Sequence, residues 1–442
     1  MEELLEALHK KGTQGELYRT RDLTTLIEFR SGALESVKSK QIDGQALRVI
    51  DNGRIGFSTT TDVDDPSGLI EAAISAAAFG EEAPFRFTDC VEGHSVDVYD
   101  EAVASIAEDQ LIGIGRQVVE GIESADSRVE VNVSIARSLR QVEVENTSGL
   151  GRKEKRSALS LSIEVERASQ GDLLVLGDEE HVRFLGALAP TELVGRLTQK
   201  LLWAERIVPT RSTRLPVMFT PRGSVALLLP LIAGLNGKAV YEGTSPLAGR
   251  INTGVLDARL SIVDDATHPG GPRSGSFDDE GTATRRTDLV TEGTLKSFVY
   301  DLRTAALAEA ASTGNGYKRG MMGGGFRSPA GVSMSNVLVE AGTGAAERVL
   351  EGIKEGLVVE DVLGLGQGNL ASGEFSNNVA VGFKVENGEI VGRVKNTMIA
   401  GNSYKLLEDG LVELCSDSRW VHGMLNVPSI CVDGVSVVGE SA

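Results

Sequence analysis

Near the N-terminus, apolar and polar residues alternate through LIEFRSGALESVKSK, and a period of two predicts half-buried strands. ALRVI, Asp51-Asn52-Gly53-Arg54 and IGFSTTTD then read as a hairpin, because Asn-Gly accepts the positive φ of a type I′ turn. A three- or four-stranded antiparallel sheet is expected here. Before it, MEELLEALHKK has the pattern of an amphipathic helix. After it, Pro66 and Ser67 open an alanine-rich helix, SGLIEAAISAAAF, with Ile70, Ala73, Ile74 and Ala77 on one face. Residues 82–100 read as loop and edge, and a second helix is predicted over Ala102–Ser124, with Leu111, Val118 and Ile122 inward. A second sheet is expected from VEVNVSIA, LRQVEVE and SALSLSIEVER, with Asn146-Thr147-Ser148-Gly149 as the turn between the last two. A helix over Thr191–Ala204 buries Leu193, Leu197 and Leu201, and VPTRSTRLP forms a linker. This order of sheets and helices predicts an α+β domain over residues 1–210.

From residue 211 to 442 the pattern changes to a β-rich domain, sandwich- or barrel-like. It opens with strand LPVMF and a strongly apolar helix, VALLLPLIAGL, for which Thr220-Pro221 supply a cap and a first-turn proline. Short strands separated by glycine turns follow: LSIVDD, TLKSFVYD, GVSMSNVLVEA, GLVVEDVLG, NNVAVGFKVENGEIVGRVKNTMIA and SICVDGVSVVG. Asn387-Gly388 and Asp433-Gly434 read as tight turns. Helices are expected over Tyr300–Ala311, Ala345–Glu355 and Ser403–Asp409.

The chain has 442 residues, more than one core usually holds, and 52 glycines, which suits many turns. Its formal charge of −19 repels nucleic acid and anionic lipid unless a local basic patch intervenes. The short clusters Arg152, Lys153, Lys155, Arg156 and Arg206, Arg211, Arg214 read as solvated faces, so neither nucleic acid nor membrane is an expected partner. Cys90, Cys415 and Cys431 form no C-x-x-C, no signal peptide is read, and no run reaches the roughly 20 apolar residues of a membrane span. A cytoplasmic protein is expected.

Candidate chemistry concentrates in Ile262–Arg319. His268 lies between Asp264-Asp265 and Asp278-Asp279-Glu280, a set with donors for a hard cation, although Asp and Gly preferences also explain it as a solvent-exposed turn. Ser312-Thr313-Gly314-Asn315-Gly316-Tyr317-Lys318-Arg319 reads either as a loop facing substrate or partner, or as a structural turn. It lacks the lysine followed by Ser or Thr of a phosphate loop. Gly364-Leu365-Gly366-Gln367-Gly368 has no helix after it to support a nucleotide site, no G-x-S-x-G surrounds Ser372 or Ser376 to support serine catalysis, and Cys415 with His422 lacks a second ligand pair and reads as structural.

Phe277-Asp278-Asp279-Glu280-Gly281-Thr282, Glu292-Gly293-Thr294-Leu295, Thr304-Ala305, Ser312-Thr313-Gly314-Asn315, Ser372-Gly373-Glu374-Phe375-Ser376, Gly382-Phe383, Glu386-Asn387-Gly388-Glu389-Ile390 and Ile399-Ala400-Gly401-Asn402 together resemble the TldD/PmbA family, once called modulators of DNA gyrase. GALESVKSK…ALRVIDNGRIGFSTTTD is similar to the family's opening. The resemblance implies a zinc peptidase in the TldD-type member, with the metal on an H-E-x-x-x-H helix and the glutamate as general base. None of this chain's histidines, His9, His94, His181, His268 and His422, is followed by glutamate. Laid on that helix without gaps, LLLPLIAGLNG puts Pro230, Leu231 and Leu235 at the three functional positions, where no zinc ligand exists. The chain therefore resembles the non-metal PmbA/TldE branch. That implies no cofactor and no catalytic residue in this subunit, no activity on its own, and zinc in a TldD-type partner with which it processes leader peptides and degrades unfolded segments. Ser312, Thr313, Gly314, Asn315, Ser372, Gly373, Glu374 and Phe375 are the candidate substrate-binding residues, in a channel wall where extended peptides add to strand edges. A homo- or hetero-oligomer is expected. The alternative is a peptide-binding, chaperone-like module without a protease partner; hydrolysis at the Asp278-Asp279-Glu280 cluster itself is a third reading.

Overall fold

A computed structural model describes residues 2–64, 67–89, 93–169, 171–319, 324–366 and 370–440. Pro66, Cys90, Gln367 and Gly368 lie outside the described residues. The fold is mixed α+β, as the alternation of periods predicts.

The first half is built on strands longer than the sequence pattern suggests. Helix α1 (Glu2–Lys10) leads into β1 (Gln14–Arg30), β2 (Ala33–Asp51) and β3 (Arg54–Thr60), then α2 (Ser67–Ala77). The expected helix over Ala102–Ser124 is two helices, α3 (Glu101–Ser105) and α4 (Glu108–Ala125). It breaks at Ile106, whose extended ψ of 129° lets its carbonyl accept from Arg137 Nη1 at 2.6 Å. β4 (Glu130–Asn146), β5 (Gly151–Ser169), β6 (Asp172–Val182) and α5 (Pro190–Trp203) complete this half.

One six-stranded antiparallel sheet, ordered β3-β2-β1-β4-β5-β6, replaces the two sheets expected. β1 pairs along nearly its full length with β2 on one side and β4 on the other, which joins them. VEVNVSIA and LRQVEVE are a single strand, and β6 adds a strand beyond those the pattern predicts.

Pleating sends alternate residues of this sheet to opposite faces. Ile27, Phe29, Val133, Ile135, Leu161 and Ile163 lie under α4 and α5, and Leu17, Leu47 and Val49 under α1 and α2. The other face carries Tyr18, Asp22, Thr24 and Glu28 of β1 and looks toward the second half of the chain. There Tyr18, Ala46, Val142 and Val144 pack against Phe277 and Phe326.

The second half begins with β7 (Thr213–Phe219), α6 (Val225–Gly234) and α7 (Gly237–Tyr241). Thr220-Pro221 caps a turn rather than the helix itself: Thr220 Oγ1 accepts from Gly223 N at 3.2 Å, and α6 starts after Ser224. Next come β8 (Ile262–Asp265), β9 (Arg286–Thr291), β10 (Thr294–Leu295), α8 (Leu302–Leu307), β11 (Gly316–Tyr317), β12 (Gly331–Val332), β13 (Val337–Val339) and α9 (Ala346–Glu351). The last elements are β14 (Glu355–Val362), β15 (Glu374–Glu386), β16 (Glu389–Arg393), β17 (Met398–Asn402), α10 (Ser403–Glu408), β18 (Leu411–Leu414), β19 (Arg419–Val421), β20 (Leu425–Val427) and β21 (Ile430–Val438).

β14, β7, β21, β17 and β15 close on one another as a five-stranded barrel, and β10-β9-β8-β13-β20-β19 form a separate mixed sheet. Asp433-Gly434 is not a turn. It is a bulge inside β21, where the pairing with β7 slips between Val432 and Val435 and Gly434 takes a φ of 85°.

The barrel strands alternate between two cores. Val217, Phe219, Leu357 and Val359 join α6 in one, while Met218, Val358 and Phe383 face α5 and share the core of the first sheet. Trp203 meets Phe383 edge to face at 5.4 Å. The linker is strapped down as well, since Val208 N donates to Arg393 O at 2.9 Å. Among the described residues no helix is long and apolar enough to cross a membrane.

Candidate functional site

Helix α6 is the element on which the family comparison of Pro230, Leu231 and Leu235 turns. It is hydrophobic all round, so it is stable only when enclosed. Leu231 and Leu235 are 1% and 0% exposed, in one core with Phe219, Leu247 and Phe298. Pro230 has no N–H to give its preceding turn, and its carbonyl accepts from Tyr404 Oη at 3.0 Å. Zinc needs nitrogen, sulfur or oxygen side-chain ligands, and these three positions offer none, so the residues present do not fit the metal.

The two sets of candidate substrate-binding residues border this helix on different sides. Ser372, Gly373, Glu374 and Phe375 lead into β15 beside α10, the helix that carries Tyr404. Asn402 Nδ2 donates to Ser372 O at 2.9 Å and Ser403 N to Gly373 O at 2.8 Å. Gly373 has a φ of +72°, and a Cβ there would stand 2.3 Å from Tyr404 Cδ2, so glycine is required twice over. Ser372 and Glu374 are exposed.

Ser312, Thr313, Gly314 and Asn315 approach the C-terminal end of α6 through Tyr300. Tyr300 N donates to Thr313 Oγ1 at 2.7 Å, and Val299 N donates to Leu235 O at 3.2 Å. Thr313 and Asn315 are buried: Thr313 Oγ1 donates to Asn315 Oδ1 at 2.7 Å, and Asn315 Nδ2 to Asp264 Oδ2 at 2.7 Å. Their side-chain groups are spent on holding the loop.

The acidic stretch is buried, contrary to the solvent-exposed turn expected from its composition. Asp264, Asp278 and Glu280 are 1%, 0% and 0% exposed. Asp278 accepts from Glu280 N, Thr282 N and Gly316 N, Asp279 from Lys318 N, and Asp264 from Asn315 and Ser335. Glu280 Oε1 meets Arg48 Nη1 at 2.6 Å, and Arg48 Nη2 also holds Glu16 at 2.8 Å. Burial pushes the Asp264 carboxyl up to about 6 and, outweighing the pull of Arg48, that of Glu280 up to about 7.

These carboxylates do not converge with His268, whose ring packs edge-on against Trp420 at 5.5 Å. Cys415 and Cys431 are free and buried, with thiols pushed up to about 12 by burial. His422 Nδ1 lies 2.9 Å from Glu179. Among the described residues no group of three or more His, Cys, Asp or Glu side chains is arranged to hold a metal.

A second feature brings basic side chains together on the first sheet. Arg156, expected on a solvated face, is 9% exposed, while its neighbours Lys153 and Lys155 point to solvent. It stands directly opposite Arg140 across the β4–β5 pairing, and Arg140 is in turn opposite Asp22 of β1. This row floors two adjoining cavities of about 270 and 470 Å3, both also lined by Arg273 and Arg319. Strand alternation around Arg140 and Arg156 was the available signal. What the sequence could not give was the facing wall, from residues more than a hundred positions away.

The two halves form a mixed α+β scaffold in which α6 presents only hydrocarbon at Pro230, Leu231 and Leu235. Residues 212–439 match the model of the PmbA/TldA metallopeptidase C-terminal domain, and residues 15–78 that of PmbA/TldA metallopeptidase domain 1. The chain belongs to the PmbA/TldD metallopeptidase family, and within it is PmbA/TldE-like. It is similar to the metalloprotease PmbA of Escherichia coli O157:H7, 24% identical over 417 residues that cover 90% of this chain and 86% of that protein. A metalloprotease of Methanothermobacter thermautotrophicus is 25% identical over 412 residues, 87% of this chain and 84% of the relative. The crystal structure of TldE from Thermococcus kodakarensis superposes with a TM-score of 0.90 at 24% identity, covering 99% of this chain and 100% of that one.

Proposed function

We propose that this chain is the metal-free, TldE-like subunit of a two-subunit cytoplasmic metallopeptidase that processes leader peptides and degrades unfolded segments. The zinc and the hydrolytic chemistry belong to a TldD-type partner. This subunit supplies part of the chamber wall along which an extended peptide lies, with Ser372 and Glu374 as exposed polar groups beside α6. The observation that carries the reading is the burial of Pro230, Leu231 and Leu235 in an apolar core, where a catalytic helix would need imidazoles and a carboxylate.

The test is to purify the chain alone and co-expressed with an H-E-x-x-x-H family member from the same genome, measuring zinc content and cleavage of an unstructured peptide. The expected result is co-purification, with zinc and cleavage only in the complex. Stoichiometric zinc and cleavage by the chain alone would overturn the proposal. Peptide binding without any co-purifying partner would establish the chaperone-like module instead.

A further inference from the structure

In a chain of net charge −19, seven cationic side chains gather around the crevice floored by β1, β4 and β5: Arg140, Arg156, Arg183, Arg273, Lys318, Arg319 and Arg327. Arg140 and Arg156 face each other directly across two antiparallel strands, an arrangement that is destabilising for like charges. Each has one carboxylate to relieve it: Asp22 holds Arg140 at 2.5 Å and Glu154 holds Arg156 at 2.5 Å.

The other five make no ion pair among the described residues. Arg183, 7% exposed, donates to the carbonyls of Ser157, Gly271 and Ser274 at 2.8, 3.4 and 3.3 Å. Arg273 Nε reaches Gly423 O at 3.1 Å and Arg319 Nη1 reaches Met334 O at 2.8 Å. Lys318, 3% exposed, sits 5.2 Å from the Tyr18 ring and 5.0 Å from that of Phe57. Counting Asp22, Asp279 and Glu154 against the seven cations, the crevice is four charges more positive than negative.

Burial holds Arg183 down at about 9, Arg273 at about 10 and Lys318 at about 8, outweighing the pull of Glu154 on Arg183, Asp264 on Arg273 and Glu16 on Lys318. Guanidinium forks match a planar carboxylate in geometry as well as in sign. Beyond the arginines the floor continues as Thr24, Ser138 and Ala158, small side chains in register on β1, β4 and β5. The same face runs on to Glu28, six residues from Asp22 or about 20 Å of strand, room for a short extended segment. A long polyanion meets the acidic exterior before it reaches this pocket, whereas one carboxylate on an otherwise neutral chain does not.

We infer that this crevice is an anion site that takes a carboxylate of an extended peptide, either the C-terminal one or that of an Asp or Glu side chain. The inference rests on the peptide-handling role proposed above and assigns the peptide an end to be gripped.

Fluorescence anisotropy on the purified full chain tests it with three labelled hexapeptides of one neutral sequence: free C-terminus, amidated, and amidated with one internal Glu. At least one carboxylate-bearing peptide is expected to bind roughly tenfold or more tightly than the neutral amidated one. Which one does so identifies the source of the carboxylate. Arg273→Gln with Arg319→Gln removes the preference, and high salt does the same for the unaltered chain, independently of how well the variant folds. Equal binding of all three peptides, no binding of any, or tighter binding of a single-stranded oligonucleotide overturns the inference. Co-purification with the TldD-type subunit is scored separately. Lost carboxylate preference with intact pairing sinks only the crevice, and the converse sinks only the subunit assignment.

Discussion

Replacing Glu280 by Ala separates a structural acidic cluster from a catalytic one. Its carboxylate accepts from Arg48 at 2.6 Å and from Leu302 N at 2.8 Å, at 0% exposure, while Arg48 lies 5.2 Å from the ring centres of Phe85 and Phe87. Truncation leaves a buried guanidinium with one partner and an amide with none. Breaking a buried pair costs about 3–5 kcal/mol, and because Glu16 still holds Arg48 the lower end, about 3 kcal/mol, applies. With a urea dependence of about 3 kcal/mol per M, the unfolding midpoint followed by circular dichroism falls by about 1 M.

The pH dependence has a definite sign. A carboxyl raised to about 7 in the folded state, against about 4.3 unfolded, binds its proton more tightly when folded. Its contribution to stability is complete below about pH 4.3 and is lost as the pH rises through 7, so Glu280→Gln flattens the stability profile over that window. An unchanged midpoint together with loss of a metal-dependent peptidase activity would refute the structural reading and put hydrolysis at this cluster.

Two further outcomes follow from the geometry. Asp178, 1% exposed in its side chain, holds Arg196 at 2.9 Å, Lys200 at 3.5 Å and Arg419 at 2.7 Å, and despite burial these cations keep its carboxyl well below the usual range. Asp178→Asn should cost about 3 kcal/mol at neutral pH, and the difference from wild type should shrink in thermal melts as pH falls below about 4 through the depressed pKa. Gly373→Ala adds a positive-φ penalty to a clash with Tyr404 and should lose about 1–3 kcal/mol; Gly149→Ala, at φ +94° with nothing near its Cβ, should lose only about 1 kcal/mol in the same melts.

What the sequence made legible was local. Asn52-Gly53 and Asn387-Gly388 are turns at positive φ, and Leu193, Leu197 and Leu201 are buried, because such signals depend on neighbours within a few residues. The merging of two sheets into one was hidden, since nothing in the pattern of β1 says that both its edges are paired. The same local rules that made Asn-Gly readable misled at Asp433-Gly434, where the barrel needs a bulge. Acidic residues are usually solvated, so the burial of Asp278 and Glu280 could not be read without Arg48, more than two hundred positions upstream. Pro230, Leu231 and Leu235 were informative in sequence because they are chemically unable to ligate zinc. The crevice was not, because Arg183, Arg273 and Arg319 acquire their meaning only from one another.

The core shared by α5 and the outer face of the barrel also makes the covalent link between the two halves nearly redundant. Trp203 against Phe383, Lys200 between Asp178 and Glu360, and Arg419 reaching back to Asp178 would hold a chain nicked near residue 210 together. The crevice likewise takes its floor, Arg140 and Arg156, from one half and its facing wall, Arg273 and Arg319, from the other, so it exists only while the two halves stay docked.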